Sequence, residues 1–208
     1  DKINTNPTYY KIYVLGEFGT FEGLVITNWR TETFDHMELA QSLEHRAGID
    51  LGWTDPSAIV DTLYDKKNRT IYVFNEFYKS GQQLSQLVAA IKAMNLARTK
   101  LYVDSAEPRS IQYFRNNQIN AVAAQKGQDS VKAGLMFLQD NLIIVHPKCT
   151  SFQTELENFS YIKSKLTGEY TEETTHEWSH AIDACRYAYS DISTMTKAKV
   201  FDKSLLGL

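Results

Sequence analysis

The sequence predicts an α/β fold built on one mixed sheet: an antiparallel three-strand meander, then parallel βα units, with helices on both faces. Three observations predict it. Segments rich in β-branched and aromatic residues follow one another across short polar connections between residues 46 and 77. From Lys100 onward strand-like and helical segments alternate, which calls for parallel strands joined by crossover helices. The chain has 208 residues, 43% of them hydrophobic and 23% charged, enough for one domain with a sizeable core and unlike a disordered chain, a collagen or a coiled coil.

The elements follow in order. Tyr9–Leu15 is strand-like, glycines at 16, 19 and 23 follow, and Leu24–Trp29 is strand-like again, so the pair forms a hairpin or an extended arm. Thr33 to His45 is more polar and is expected to be a linker with a short helix. The meander strands are Ala47–Gly52, Ala58–Tyr64 and Thr70–Phe77, the last two joined by the polar turn Asp65–Arg69. Leu84, Leu87, Val88, Ile91 and Met94 have helical spacing. Three strand–helix pairs come next: Lys100–Asp104 with Pro108–Arg115, Ile119–Ala124 with Val131–Gln139, and Asn141–His146 with Ser151–Phe159. Residues 160–174 form a surface excursion with a hairpin turn at Thr167–Gly168, placed to overhang whatever the last helix, expected from Thr175 to Tyr189, presents. Three parts result: an arm and linker over 1–45, a compact domain over 46–192 and a polar tail over 193–208. The chain begins at Asp1 without Met and is expected to be a fragment of something longer.

Lys and Arg number 22 against 25 acids, a net charge of −3, which gives no whole-chain footprint for nucleic acid. The acids are weighted to the first 45 residues, leaving the rest marginally positive, so a polyanion is accommodated there if metal neutralises some carboxylates. Cys149 and Cys185 have no paired spacing for a zinc cluster and are expected to be buried thiols. No apolar run reaches the roughly 18 residues of a membrane span.

Three aspartates stand where aspartate is unfavourable. Asp50 interrupts an apolar strand, Asp104 ends the strand Leu101-Tyr-Val, and Asp183 lies between Ile182 and Ala184 on the last helix. A buried carboxylate costs several kcal/mol unless paired. Asp104 has an ordinary explanation as a cap for the helix after Ser105-Ala-Glu-Pro108, but Asp50 has nothing to cap. The strand ending at Asp104 is the natural neighbour of the one carrying Asp50, and ligands of open α/β sheets gather at the carboxyl ends of strands. If the last helix crosses that edge, three carboxylates converge. At about 4 Å and an effective dielectric of about 20, each like-charge pair repels by roughly 4 kcal/mol, so such a cluster requires protons or divalent cations. Oxygen-only ligands select Mg²⁺ or Mn²⁺.

The meander with Gly48-Ile-Asp50-Leu-Gly52, the strand ending Tyr-Val-Asp104-Ser-Ala-Glu-Pro, the segment Gln125–Gly134 and the helix His180-Ala-Ile-Asp183-Ala-Cys-Arg-Tyr-Ala resemble the nuclease domain of tailed-phage terminase large subunits, a branch of the RNase H-like superfamily. Tyr9–Gly19 resembles the end of that family's motor half. The resemblance implies an RNase H-like fold and a metal-dependent endonuclease that cuts concatemeric viral DNA during packaging with two ions, Mg²⁺ or Mn²⁺. It places the metals on Asp50, Asp104 and Asp183, with His180 beside them as a fourth catalytic residue. It also implies double-stranded DNA, a terminase small subunit and a portal or procapsid as partners, a monomeric isolated domain, and the host cytoplasm as location. Residues 1–45 are then a remnant of the link to the ATPase half. No G-x-x-x-x-G-K-[ST] loop occurs, so no ATPase activity is expected of this chain. Lys126, Lys132, Lys163 and Lys165 are weaker candidates for phosphate contacts.

Rival readings remain. His176-Glu-Trp-Ser-His180 matches the H-E-x-x-H of zinc metalloproteases, but neither a downstream Glu nor a third His completes the ligand set. On a helix, His176, His180 and Asp183 would share one face. Asp50-Leu-Gly-Trp-Thr-Asp55 has the look of a phosphate loop of actin-like sugar kinases, without the later glycine-rich adenosine site. A non-catalytic DNA-binding or assembly module gives no reason for an aspartate within a strand. His36, His45 and His146 are expected to be structural or exposed.

Overall fold

The structure, a computed structural model, describes residues 23–195. The expected strand Tyr9–Leu15 and the tail beyond residue 195 lie outside them. Seven strands form one mixed sheet: β1 Trp29–Thr31, β2 Glu44–Asp50, β3 Ser57–Asp65, β4 Thr70–Lys79, β5 Leu101–Val103, β6 Ala121–Ala123 and β7 Leu142–Val145. Their spatial order is β1-β7-β4-β3-β2-β5-β6. The meander β2–β3–β4 is antiparallel and every other pairing in the sheet is parallel. The helices are α1 His36–Leu39, α2 Leu84–Ala93, α3 Pro108–Asn116, α4 Ser130–Gln139, α5 Thr150–Asn158, α6 His180–Ala188 and α7 Ser190–Met195. A separate hairpin, β8 Tyr161–Lys163 with β9 Tyr170–Thr174, turns at Gly168, whose φ of +71° suits glycine.

The period of two along β3 divides the core. Ala58 and Val60 join a cluster with α4, α5 and α6, whereas Ile59 faces a second cluster with α2 and α3. Burying each such aliphatic side chain contributes roughly 1.5–3 kcal/mol. α6 is buried almost all round, and Asp183 is its one residue left partly open. It lies directly on the sheet because Gly48 of β2 has no side chain: a Cβ there would stand 1.9 Å from the Ala184 carbonyl oxygen. Arg46, two residues earlier, secures the far end of the helix by donating to the Ala188 carbonyl (2.7 Å) and the Tyr102 hydroxyl (2.9 Å), and by pairing with Asp191.

Two sequence expectations change. Leu24–Trp29 is not a hairpin strand: Val25 and Ile26 turn into the core, and only Trp29 enters a strand, β1, which pairs with β7 at the sheet edge. α6 begins at His180 rather than Thr175. Thr175 still donates its backbone N–H to the Ser160 carbonyl beside β9, and Ser179 takes the N-cap position, so residues 175–179 form a turn. His176 and Glu177 are therefore not helical. β7 lies on the opposite side of the meander from β5 and β6, between β4 and β1. The short helix α1 falls in the expected linker, capped by Asp35, which accepts from Met37 N at 2.8 Å. Cys149 and Cys185 are buried free thiols.

Candidate active site

β2 and β5 run parallel with Ile49 opposite Val103, so Asp50 and Asp104 leave the sheet side by side at its carboxyl edge. The contact of α6 with Gly48 brings Asp183, adjacent to Ala184, over the same edge. Each carboxylate faces one basic side chain of the protein. His180 Nδ1 lies 3.2 Å from Asp50 Oδ2, Lys126 Nζ lies 2.5 Å from Asp104 Oδ1, and Arg186 Nε donates to Asp183 Oδ1 at 2.9 Å. Arg186 has room to reach Asp183 because Gly134 of α4 carries no side chain: a Cβ there would meet Arg186 Cγ at 2.3 Å.

The electrostatics of the three differ. Burial raises the Asp50 carboxyl above its ordinary range; the His180 bond opposes this, and the charges of Asp183 and Asp104 add to it. Burial acts in the same upward direction on Asp104, but there Lys126, the Ala106 N–H and the Tyr187 hydroxyl win and hold the carboxyl low. The Ala106 bond, 2.7 Å, is the local turn the sequence suggested; the Tyr187 bond, 3.0 Å, comes from α6. Asp104 thus serves both the turn and the cluster. His180 is held above the usual histidine range, first by its bond to Asp50, against burial, with Asp50, Glu155 and Asp55 contributing.

Three further residues support this edge. Tyr187 and Arg186 sit one turn beyond Asp183. Glu155 of α5 is buried and accepts from Tyr78 Oη (2.8 Å) and from the Ile182 N–H (2.9 Å), pinning the first turn of α6. Burial pushes its carboxyl up to about 7. The i, i+3 and i+4 spacings from Asp183 could have flagged Arg186 and Tyr187, but nothing local marks Glu155.

The three aspartates do not close on one ion's position. Among the described residues, Asp55, His176 and His180 form the one group of three His, Cys, Asp or Glu ligand atoms within 4.8 Å of one another. Asp104 and Asp183 are engaged by Lys126 and Arg186 instead. The two histidines meet without a shared helix, their ring centroids 5.6 Å apart. With Glu177 off the helix, the arrangement of a zinc protease base is not formed. Of the other lysines, Lys132 pairs with Glu172 (3.0 Å), Lys163 lies over the Tyr170 ring (5.0 Å to its centre), and Lys165 is exposed on the hairpin.

Comparison with known proteins agrees with the fold. The family profile described as "Terminase RNAseH like domain" matches residues 50–191. The terminase large subunit of Bacillus phage SPP1 is 31% identical over 170 residues, 79% of this chain and 38% of that protein. The PBSX phage terminase large subunit of Bacillus subtilis strain 168 is 25% identical over 194 residues, 89% of this chain and 44% of that one. The chain therefore spans less than half the length of these relatives. The crystal structure of the SPP1 large terminase nuclease domain with bound Mn superposes with a TM-score of 0.73 at 28% identity, covering 80% of this chain and 98% of that one. The P22 large terminase nuclease domain shares the fold, with a TM-score of 0.57 at 15% identity, covering 85% and 93%. A mixed sheet of this order with helices matches the RNase H-like nuclease-domain fold, and the chain belongs to the terminase RNase H-like domain family.

Proposed function

We propose that this chain is the nuclease part of a phage packaging terminase, cutting double-stranded concatemeric DNA as an endonuclease with two divalent ions, Mg²⁺ or Mn²⁺. The observation that carries the proposal is the gathering of Asp50, Asp104 and Asp183 on one sheet edge, in a chain similar along most of its length to a nuclease domain that holds Mn. The residues fit such ions. All three donors are hard carboxylate oxygens. Burial raises the Asp50 carboxyl despite its bond to His180, and the charges of Asp183 and Asp104 add to the rise. All three remain partly open, with side-chain exposures of 17%, 19% and 26%.

Divalent ions bound there supply positive charge that favours an attacking water and the leaving 3′ oxygen in an in-line displacement. The chain's own residues do the rest. Asp50 is the carboxylate between the other two. Lys126, whose side chain is 42% exposed, releases Asp104 by side-chain rotation and is then free to face phosphate oxygens, while the buried Arg186 stays beside Asp183 and orients it. His180 keeps Asp50 oriented through Nδ1. Phosphate contacts dominate, so affinity falls with salt. Residues 1–45 connect to the motor half in this proposal, with 25–31 built onto the sheet, 46–192 as the nuclease proper and 193–208 as a tail. A small subunit and a portal are its expected partners. No helix among the described residues is long and apolar enough to cross a membrane.

The test is plasmid cleavage in Mn²⁺ or Mg²⁺ by Asp50→Ala, Asp104→Ala and Asp183→Ala, each checked for intact folding by circular dichroism. Each is expected to lose cleavage, and His180→Ala to be impaired less. Full activity in any aspartate variant removes that residue from the site.

A further inference from the structure

We propose that Asp55, His176 and His180 form a second metal site beside the carboxylate edge, one for Zn²⁺ rather than for a hard ion. One ligand atom from each lies within 4.8 Å of the others. A tetrahedral ion with bonds of about 2.0–2.1 Å sets its ligands roughly 3.3 Å apart, so each pair needs to draw in by no more than about 1.5 Å. Asp55 and His176 are exposed and able to make that adjustment, while His180, 4% exposed, is the fixed member.

The backbone presents the ligands from three directions. Asp55 sits in the β2–β3 turn, which closes on itself: Ser57 Oγ accepts from Gly52 N (3.1 Å) and donates to Gly52 O (2.8 Å), and a Cβ at Gly52 would strike the Asp55 carbonyl at 2.5 Å. His176 lies in the turn before α6, closed by Ser179 Oγ donating to the His176 carbonyl at 3.0 Å. His180 opens α6. Among the described residues no hydrogen bond engages the Asp55 carboxylate or the His176 ring.

The donor chemistry separates this site from its neighbour. Two imidazoles and one carboxylate suit a borderline ion such as Zn²⁺, whereas three carboxylates suit Mg²⁺ or Mn²⁺. His180 joins the two. Its Nδ1 is committed to Asp50, which leaves Nε2 for an ion, the carboxylate–histidine–metal relay that fixes a ring's tautomer and orientation. A water supplies the fourth position. An ion here clamps the β2–β3 turn to the start of α6 and holds His180 against Asp50. The H-E-x-x-H spacing thus brings its two histidines together, with Asp55 as third ligand and Glu177 outside the set.

The test needs no DNA. Zn²⁺ is titrated into the tag-free 208-residue chain by calorimetry in excess Mg²⁺, and Co²⁺ binding is followed by its visible absorption. We expect one Zn²⁺ per chain. His176→Gln and Asp55→Asn should each weaken it at least about tenfold and abolish the cobalt band, with Mn²⁺-dependent cleavage unchanged. Absence of Zn²⁺ binding in excess Mg²⁺, or unaltered binding by both variants, overturns the proposal. So does Zn²⁺ binding that is lost in Asp104→Asn but kept in His176→Gln, because the ion then belongs to the carboxylate edge. The nuclease proposal fails on a different reading: retained cleavage in the aspartate variants, whatever Zn²⁺ does.

Discussion

Two aspartates interrupt adjacent strands of the meander, and each is bonded to a histidine. Asp61 of β3 is 2% exposed and lies 2.5 Å from His45 Nε2; Asp50 of β2 lies 3.2 Å from His180 Nδ1. Burial raises both carboxyls, and the histidine partner opposes it in both. The next neighbours differ. Around Asp61 they are the basic side chains His36 and Lys148, which act to lower its pKa. Around Asp50 they are Asp183 and Asp104, which raise it. A buried Asp–His pair is therefore not in itself a site. Asp61 is locally compensated and sits where β3 and β4 shift register, between Asp61 and Thr62. Asp50 is raised chiefly by burial and faces two further carboxylates, whose repulsion an added cation would relieve.

The largest expected effect breaks or sustains that contrast directly. Asp50→Asn should lower plasmid cleavage on the order of a thousandfold with the fold retained, since it removes a ligand of the proposed ion site. Asp61→Asn should leave cleavage within about threefold and instead cost about 1–3 kcal/mol of stability, read as a lower urea midpoint. Equal losses of cleavage in the two variants would falsify the distinction.

Next comes the contact that brings the carboxylates together. Gly48→Ala inserts a methyl group against the Ala184 carbonyl, and α6 must shift. It should cost about 1–3 kcal/mol and also lower cleavage, because Asp183 moves with the helix. A variant that melts normally and cuts normally would show that α6 does not need this close approach.

A third expectation concerns pH in metal-free buffer. Glu155 has an ordinary pKa of 4.5 and a folded value of about 7. Between those limits the native chain holds more protons than the unfolded chain, so the free energy of unfolding falls as pH rises. Raised His180 acts in the same direction: its bond to Asp50 contributes fully below the unfolded histidine pKa and is lost as pH rises through the folded one. Urea midpoints in chelator should therefore drop from pH 5 to pH 7.5, by an amount equivalent to about 2–3 kcal/mol. A flat or rising profile contradicts the burial of Glu155 as an acid.

The smallest effect isolates Lys126. Its ammonium competes with an ion for Asp104, so Lys126→Ala should bind Mn²⁺ a few-fold more tightly by calorimetry. Weaker binding would show that Lys126 assists the ion site instead of opposing it.

Much of this was legible in the chain. The meander, the alternation of strand and helix, and Asp50, Asp104 and Asp183 all follow from local pattern, because period and unfavourable placement are local properties. The same rule would have flagged Asp61, which is equally out of place in an apolar strand; only the charges around it distinguish it. The start of the last helix was misplaced by five residues because the polar segment 175–179 carries no strong preference, and its path is set by the pairing of Thr175 with Ser160. Glu155 was not legible at all, since its partners Tyr78 and Ile182 are distant in the chain.

The sequence by itself determined the classes of element, the meander and the three carboxylates, because periodicity and propensity act within a few residues. Tertiary structure alone decided that β7 returns beside β4, that α6 rests on Gly48, and that Lys126, Arg186 and His180 each take one aspartate. Those outcomes depend on close packing and on charges brought within a few ångströms from distant parts of the chain, and no local pattern encodes such distances.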